Sequence, residues 1–314
     1  MGDDGKRQNV QHYGHIPVLV DEVMAGLHCR QGGIYVDCTL GQGRLAAKLL
    51  ESCSPTGMVI GIDRDEAALA MTRERLKSFT TRLKIIHGNF KDIKEHVKTV
   101  GVPYVDGIVF DLGVSSVQLN DPARGFSFMA EGPLDMRMDR SAETTAAQLL
   151  ECLSEAELAN MIFQYGEERY ARRIARAIVR ARVLGPLRTT EDLVSAVRSA
   201  VPGSYRHGRI HFATRTFQAL RIAVNGELDI LAPALRDAVE VLSPGGRLCI
   251  ISFHSLEDRI AKHTIRELSQ GPEPMLLTIT KRPLTALESE VAANPRSRSA
   301  KLRIAERLPQ WRTA

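Results

Sequence analysis

No Cys-x-x-Cys pair occurs among the five cysteines, Cys29, Cys38, Cys53, Cys152 and Cys249. Scattered and odd in number, they suggest neither a disulfide framework nor a zinc site, and they read as small buried thiols in a reducing compartment. His12 and His15 have no acid or cysteine placed to complete a ligand set, so no metal is expected. No run of about 18 apolar residues occurs, which argues against a membrane span. The opening residues, Met1-Gly2-Asp3-Asp4-Gly5-Lys6-Arg7, carry acids and lack the apolar stretch of a leader. These absences predict a cytoplasmic protein. Internal repeats are also lacking. What the chain does have is 314 residues, 44% of them hydrophobic, enough for one large α/β domain and a smaller unit. A net charge of +5 makes an anionic partner plausible without specifying one.

The most informative stretch runs from Ile34 to Leu50. A β-branched and aromatic run, Ile34-Tyr35-Val36-Asp37, meets Gly41 and Gly43 in a tight turn, and helical spacing follows with Leu45, Ala46 and Leu49 on one face. Gly41-x-Gly43-x-x-Ala46 fits the dinucleotide fingerprint, which lets a ligand approach the main chain at a helix start. Met58–Asp63 reads as the next buried strand, and Asp63 falls about 20 residues past the glycines, the spacing that puts an acid on a ribose diol. Its alternative role is to cap the helix near Glu66, which Asp65 fills at least as well. Asp37 closes the first strand and can brace the loop or meet a cationic amino group. A nicotinamide cofactor has no such group. S-adenosylmethionine carries an ammonium and a sulfonium, and is therefore the expected cofactor.

Further along, Pro17 and the spacing of Val20, Val23, Met24 and Leu27 predict a helix, and Glu66 to Phe79 predicts another. Leu83–His87 reads as a third strand, after which Phe90 sits at a strand end, either to stack on an adenine or to fill the core. Gly107–Asp111 is the fourth strand, followed by the polar Ser115, Ser116 and Gln118. Asp111 there projects into the cofactor crevice, or else bonds its own loop. Residues 121–209 read as a helical insertion that divides a sheet domain of residues 1–120 and 210–314. Within it Arg169, Arg172, Arg173, Arg176 and Arg180 recur at spacings that make one helix face cationic, a solvated face or a phosphate contact. A helix over 231–242 stops at Ser243-Pro244-Gly245-Gly246 and leads to a fifth strand, Arg247–Phe253, that delivers His254 to the ligand edge. Met275–Thr280 and Lys301–Ala305 complete seven strands, the last pair expected as an antiparallel hairpin at the sheet edge.

Taken together these segments resemble the bacterial small-subunit ribosomal RNA (cytosine-N4)-methyltransferase family. The resemblance rests on Gly14-His15-Ile16-Pro17-Val18, Asp111-Leu112-Gly113-Val114-Ser115-Ser116, Arg124-Gly125-Phe126-Ser127-Phe128, Gly132-Pro133-Leu134-Asp135-Met136-Arg137-Met138-Asp139, Tyr165-Gly166-Glu167-Glu168-Arg169, Ala213-Thr214-Arg215-Thr216-Phe217-Gln218, Ile251-Ser252-Phe253-His254-Ser255-Leu256-Glu257-Asp258-Arg259 and Arg298-Ser299-Ala300-Lys301-Leu302-Arg303. It implies an α/β fold, a Rossmann-like seven-stranded methyltransferase sheet with an inserted all-helical domain. It implies S-adenosylmethionine as methyl donor, held at Gly43, Arg44, Leu45, Asp63, Phe90, Asp111 and Gln118, and 16S ribosomal RNA of the small subunit as partner. Arg169, Arg172, Arg173 and Arg176 are the expected RNA contacts; monomer and homodimer both remain open.

Three residues depart from that family. Arg44-Leu45 stands where Gly-His is usual, so a contact made by that histidine is lost while backbone contacts can survive. Phe212 replaces a usual proline. For catalysis, Asp111, with the Leu112 carbonyl or Ser115, is expected to accept a hydrogen bond from the cytosine N4 amine and localise its lone pair. Methylation at cytosine C5 is disfavoured because no proline precedes any cysteine. A nicotinamide dehydrogenase leaves Asp37 and the arginines without purpose. The alternative is a non-enzymatic ribosome-assembly factor with a degenerate cofactor loop.

Overall fold

The computed structural model describes residues 17–309; Gly14, His15, Ile16 and the His12/His15 pair lie outside them. Seven strands form one sheet among the described residues: β1 Ile34–Asp37, β2 Met58–Asp63, β3 Leu83–His87, β4 Val105–Asp111, β5 Leu242–Ser252, β6 Leu276–Thr278 and β7 Lys301–Arg307, in the order β3-β2-β1-β4-β5-β7-β6. Strands β1 to β5 are parallel, and β7 runs antiparallel between β5 and β6. The central runs Val59–Ile62 and Gly107–Phe110 are fully buried, as expected for parallel strands covered on both faces.

Helices α1 Val20–Leu27, α2 Arg44–Ser52 and α3 Glu66–Arg75 serve one face of the sheet, where Val23, Leu27, Leu49, Leu50 and Leu69 pack with Cys249 and Ile304. The opposite face packs Ile108, Phe110 and Ile250 against α4 Ile93–Val100, α12 Leu231–Val241 and α13 Ser255–Leu268. Because the chain moves from β1 outward to β3 and then crosses back to place β4 on the other side of β1, the strand order reverses between β1 and β4. Crevices that bind ligands form at such a reversal.

Between β4 and α12 the chain is helical: α5 Ser116–Asn120, α6 Ala146–Cys152, α7 Glu155–Gly166, α8 Ala171–Leu184, α9 Thr190–Ala200, α10 Gly203–Arg206 and α11 Thr214–Asn225. The remaining helix, α14 Glu288–Ala293, lies between β6 and β7. Four of these helices begin with a reciprocal capping box, Ser115/Gln118, Thr145/Gln148, Ser154/Glu157 and Thr189/Asp192, so each start is encoded locally. The helices build a separate core from Phe126, Leu150, Ile162, Ile174, Ile178, Val197, Phe217 and Leu220. Phe212 is buried in it with the Arg198 guanidinium over its ring, an apolar use for the position where a proline was usual.

Several boundaries differ from the sequence reading. β5 starts at Leu242, which pairs with Val105 before a register shift to Gly107↔Arg247, so Pro244 and the glycines lie inside an irregular strand entry. β6 and β7 do pair, but residues 279–300 separate them with a helix and a turn, so they are no tight hairpin. α3 ends at Arg75 and a one-turn 3-10 helix covers Lys77–Phe79. α1 starts at Val20, three residues after Pro17.

Gly43 shows why the loop after β1 needs glycine. Its φ is +70°, and an added Cβ would lie 2.6 Å from Thr72 Cγ2 on α3. Gly43→Ala is therefore expected to cost about 1–3 kcal/mol, combining left-handed strain with overpacking, measured as a lower urea midpoint. An unchanged midpoint would show that α3 moves aside freely.

Candidate active site

The loops that follow β1, β2 and β4 enclose a cavity of about 360 Å³, within the range of small-ligand sites. Asp37, Gly41, Arg44, Leu45, Asp63, Arg64, Phe90, Asp111, Ser115, Ser116 and Gln118 all line it. The structure thus brings together every expected cofactor and catalytic residue except Gly43. That glycine lies behind the wall, its N–H donated to the Leu40 carbonyl at 2.7 Å. None of the expected RNA arginines lines this cavity.

Asp63 is held by the glycine loop: the Gly41 N–H donates to Oδ2 at 2.7 Å and the Asp65 N–H to Oδ1 at 2.9 Å. Asp65 is the cap of α3, accepting the Ala67 N–H. The sequence alternative of Asp63 as helix cap is thereby settled by division of labour between the two acids. Each Asp63 oxygen accepts one of these bonds and retains further acceptor capacity. Phe90 lies edge-on to Phe110, with ring centroids 5.5 Å apart, and Arg64 sits over its ring. Arg64 also donates to the Asn225 carbonyl at 3.1 Å.

Asp37 and Asp111 close adjacent strands. Burial pushes the Asp37 carboxyl up to about 7, partly countered by the Thr39 N–H at 3.2 Å. Burial also pushes Asp111 up to about 7, and the negative charges of Asp37 and Glu257 add to the rise. Thr39 Oγ1 accepts the Asp111 N–H at 2.7 Å, so the backbone of Asp111 is fixed while its carboxylate is not. Asp111 Oδ1 is shut off from solvent without a hydrogen-bond partner among the described residues. Ser116 Oγ is in the same condition. A buried orphan of this kind costs on the order of 1–3 kcal/mol, and both residues line the cavity.

Other polar groups are already committed. Ser115 Oγ accepts the Gln118 N–H, and Gln118 Oε1 accepts the Ser115 N–H at 3.0 Å. Gln118 Nε2 donates to Asp65 Oδ2 at 2.8 Å, so both ends of its amide are held by the protein. Beneath the cavity, the Arg221 guanidinium grips Glu227 in a bidentate pair of 2.9 and 3.0 Å. His254 caps α13 through Nδ1, and Glu257 accepts the Phe253 N–H at 2.8 Å. His254 and Arg221 hold the Glu257 carboxyl below its ordinary range against the opposing effect of burial.

The residues that sequence reasoning missed are mostly linkers between the sheet and the helices. Arg124, buried, pairs with Asp65 at 2.7 Å and donates to the carbonyls of Arg137 and Met138, both at 2.9 Å. Met138 lines the cavity. The only signal was that Arg124 fell in a recognised block without a role. Glu167, at the end of α7, bonds Ser255 and, at 3.0 Å, Arg259.

The arginine stripe differs from its sequence image. Arg169 precedes α8 and lies over the rings of Tyr170 and Tyr205, 4.8 and 4.9 Å from their centroids, so it is not on the helix face. Arg182 is spent on the carbonyls of Leu150, Glu151 and Leu153. Arg172, Arg173, Arg176 and Arg180 are exposed, and the last three line a groove between α8 and α9 with Ser195 and Ser199.

The model of the MraW methylase family matches residues 12–308. The chain belongs to that family. A relative from Sorangium cellulosum, named ribosomal RNA small subunit methyltransferase H, is 54% identical over 294 residues, 94% of this chain and 91% of its own length. A relative of the same name from Geobacter sp. (strain M21) is 49% identical over 312 residues, 95% of this chain and 100% of its own. A solved rRNA methylase from Streptococcus thermophilus covers 94% of this chain and 99% of its own at 12% identity, with a TM-score of 0.45. Membership makes the chain a methylase, and the cavity is its candidate active site. No helix among the described residues is long and apolar enough to cross a membrane.

Proposed function

We propose that this protein transfers the methyl group of S-adenosylmethionine to the exocyclic N4 of a cytidine in small-subunit ribosomal RNA, in the cytoplasm. The observation that carries the chemistry is the orphaned Asp111 Oδ1 in a cavity whose neighbouring loops supply Asp63 and Phe90. The family and the names of its relatives support the substrate class.

The cavity fits the cofactor by charge. Five acids line it, Asp37, Asp63, Asp111, Glu227 and Glu257, and a ligand with an ammonium and a sulfonium offsets their repulsion. When bound, S-adenosylmethionine supplies a methyl group on a positively charged sulfur that leaves as a neutral thioether. Phe90 offers a ring to the adenine, Asp63 accepts from the ribose hydroxyls, and Asp37 faces the amino group. Gly43, Arg44 and Leu45 turn the backbone toward the methionine end, and Gln118 fixes the wall behind it.

Asp111 acts on the other reactant. The N4 lone pair of cytosine is delocalised into the ring, and a carboxylate that accepts an N4–H bond localises it for in-line attack. Asp111 would take the proton that N4 sheds once it is alkylated. Ser115, rigid as a helix cap, orients the base edge. N4 must be unpaired to react, which favours an exposed, splayed nucleotide.

In this reading the helical insertion, residues 121–209, is the RNA-substrate domain, with Arg172, Arg173 and Arg176 contacting phosphates and Arg169 held beside them by the tyrosine rings. Reversing Arg173 and Arg176 to Glu is expected to weaken RNA association about 10- to 100-fold at low salt and to flatten the salt dependence by roughly one to two phosphate contacts. Binding that is unchanged across a salt series would move the RNA surface elsewhere.

The direct test is incubation with isotopically labelled S-adenosylmethionine and unmodified small ribosomal subunits, then digestion and mass spectrometry of the nucleosides. Label in N4-methylcytidine is the expected result. Subunit binding without any labelled nucleoside would instead favour an assembly factor.

A further inference from the structure

Most charges at the cavity are matched. Arg64 faces Asp63, Glu227 and Asp139, whose negative charges oppose the effect of its burial. Arg221 is paired with Glu227, and Glu257 is held by His254 and Arg221. Arg44 is different. It lines the cavity as the first residue of α2, and no acid occupies the first turn of that helix. Its hydrogen bond among the described residues is to a neutral amide, Nε to Gln42 Oε1 at 3.5 Å. The Arg75 guanidinium reaches for the same oxygen, also at 3.5 Å. Two guanidiniums thus converge on one neutral acceptor at the edge of the cavity, and neither hydrogen bond is to a cavity acid.

Burial and the positive charge of Arg75 both disfavour a charged Arg44 as it stands. An anionic ligand group at this point relieves both effects. The helix start adds to this, since the free N–H groups of α2 and its dipole favour negative charge in the same place.

The sheet fixes which part of the cofactor arrives there. Adjacent strands lie about 4.8 Å apart, and the order β3-β2-β1-β4 presents Phe90, Asp63, the glycine loop and Asp111 in that sequence. Adenine against Phe90 and ribose on Asp63 bring the methionine end to the loop between Asp37 and Arg44. Its ammonium suits Asp37; Arg44 and the helix start lie beside the loop for its carboxylate.

We infer that the Arg44 side chain binds the carboxylate of S-adenosylmethionine, making this chain select the intact amino-acid end of its cofactor through a charged pair. This rests on the cofactor reading proposed above and assigns the side chain a role that a glycine at that position lacks. A charge-assisted, partly desolvated pair is stronger than a neutral one, and the planar fork of Arg suits a carboxylate. Arg296, the other cavity guanidinium without an acid partner among the described residues, donates to Asn120 Oδ1 at 3.0 Å beside α5, on the β4 side of the site. It serves as the internal comparison.

Isothermal titration of the full chain separates the possibilities. Two ligands suffice: S-adenosylmethionine, and decarboxylated S-adenosylmethionine, which keeps both cationic groups and lacks the carboxylate. The wild type is expected to prefer the intact cofactor by about tenfold or more. R44A should weaken the intact cofactor to within about twofold of the decarboxylated one while leaving the latter nearly unchanged, which also reports that the variant is folded. R44Q gives the same comparison at nearly native side-chain length, and R296A should keep the wild-type preference. An R44A or R44Q variant with the wild-type preference, or a preference that disappears in R296A instead, would overturn the assignment. Failure of the wild type to bind S-adenosylmethionine or its demethylated product would overturn the cofactor reading itself, a result the ratio between ligands cannot mimic.

Discussion

Replacing Asp111 with Asn should lower methyl transfer by about 10²–10⁴-fold, the span associated with a positioned acid or base, and change cofactor affinity by only a few-fold. Asn keeps the shape but presents an amide that cannot take the proton from N4. Because burial and the charges of Asp37 and Glu257 push Asp111 up to about 7, the wild-type rate should climb as pH rises through 7 and then level off. D111N should lack that inflection. Wild-type turnover in D111N at pH 8 would place the proton acceptor elsewhere.

The same residue carries an opposite signature in stability. Its pKa in the folded protein is about 7, whereas an unfolded Asp titrates near 3.9. Between those values the folded state holds a proton that the unfolded chain has released. Stability from this group is therefore present at low pH and is lost as pH rises toward and through 7. D111N should then be more stable than the wild type at pH 8, by on the order of a few kcal/mol, and equal to it near pH 4. A variant that is stabler yet nearly inactive identifies a group kept for chemistry at a cost to the fold.

The second large effect concerns Arg124. Its side chain is 4% exposed, that of Asp65 2%, and the ion pair between them is 2.7 Å long. Arg124→Ala leaves Asp65 as an uncompensated buried charge and frees two carbonyls, of Arg137 and Met138, from their donor. Breaking such a pair costs about 3–5 kcal/mol, read as a fall in the urea midpoint. R124K should recover little, since an ammonium cannot span a carboxylate and two carbonyls as a guanidinium does. A loss below about 1 kcal/mol would mean that water replaces the guanidinium, placing the tie between insertion and sheet in the Asn225 bonds to Met136 and Met138 instead. Because Asp65 also holds Gln118 and Met138 lines the cavity, R124A should raise the cofactor Kd as well.

Much of the site was legible because it is local. Asp37, Asp63 and Asp111 each close a largely apolar strand, the glycine loop and Phe90 come just after one, and a strand's end tells where its next side chain will lie. The capping boxes of the helical insertion were written in the same way, three residues apart. What escaped were relations of long separation. Nothing near Arg124 says that it will meet Asp65, 59 residues earlier, and nothing near Arg221 announces His254. The arginine spacing misled for a related reason: Arg169 shares the periodicity of α8 but precedes its start, and two tyrosine rings claim it.

The sequence by itself determined the α/β class, the order of strands along the chain, the division by a helical stretch and the acids that close strands at the cavity, since apolar periodicity, glycine and proline act over a few residues. Only the tertiary structure decided which charges are matched. It engages Gln118 with Ser115 and Asp65, leaves Asp111 Oδ1 without a partner, and sets Arg44 and Arg75 against one amide oxygen. Those outcomes depend on desolvation and on distances between segments far apart in the chain, and an electrostatic balance exists only once both sides of a cavity are in place.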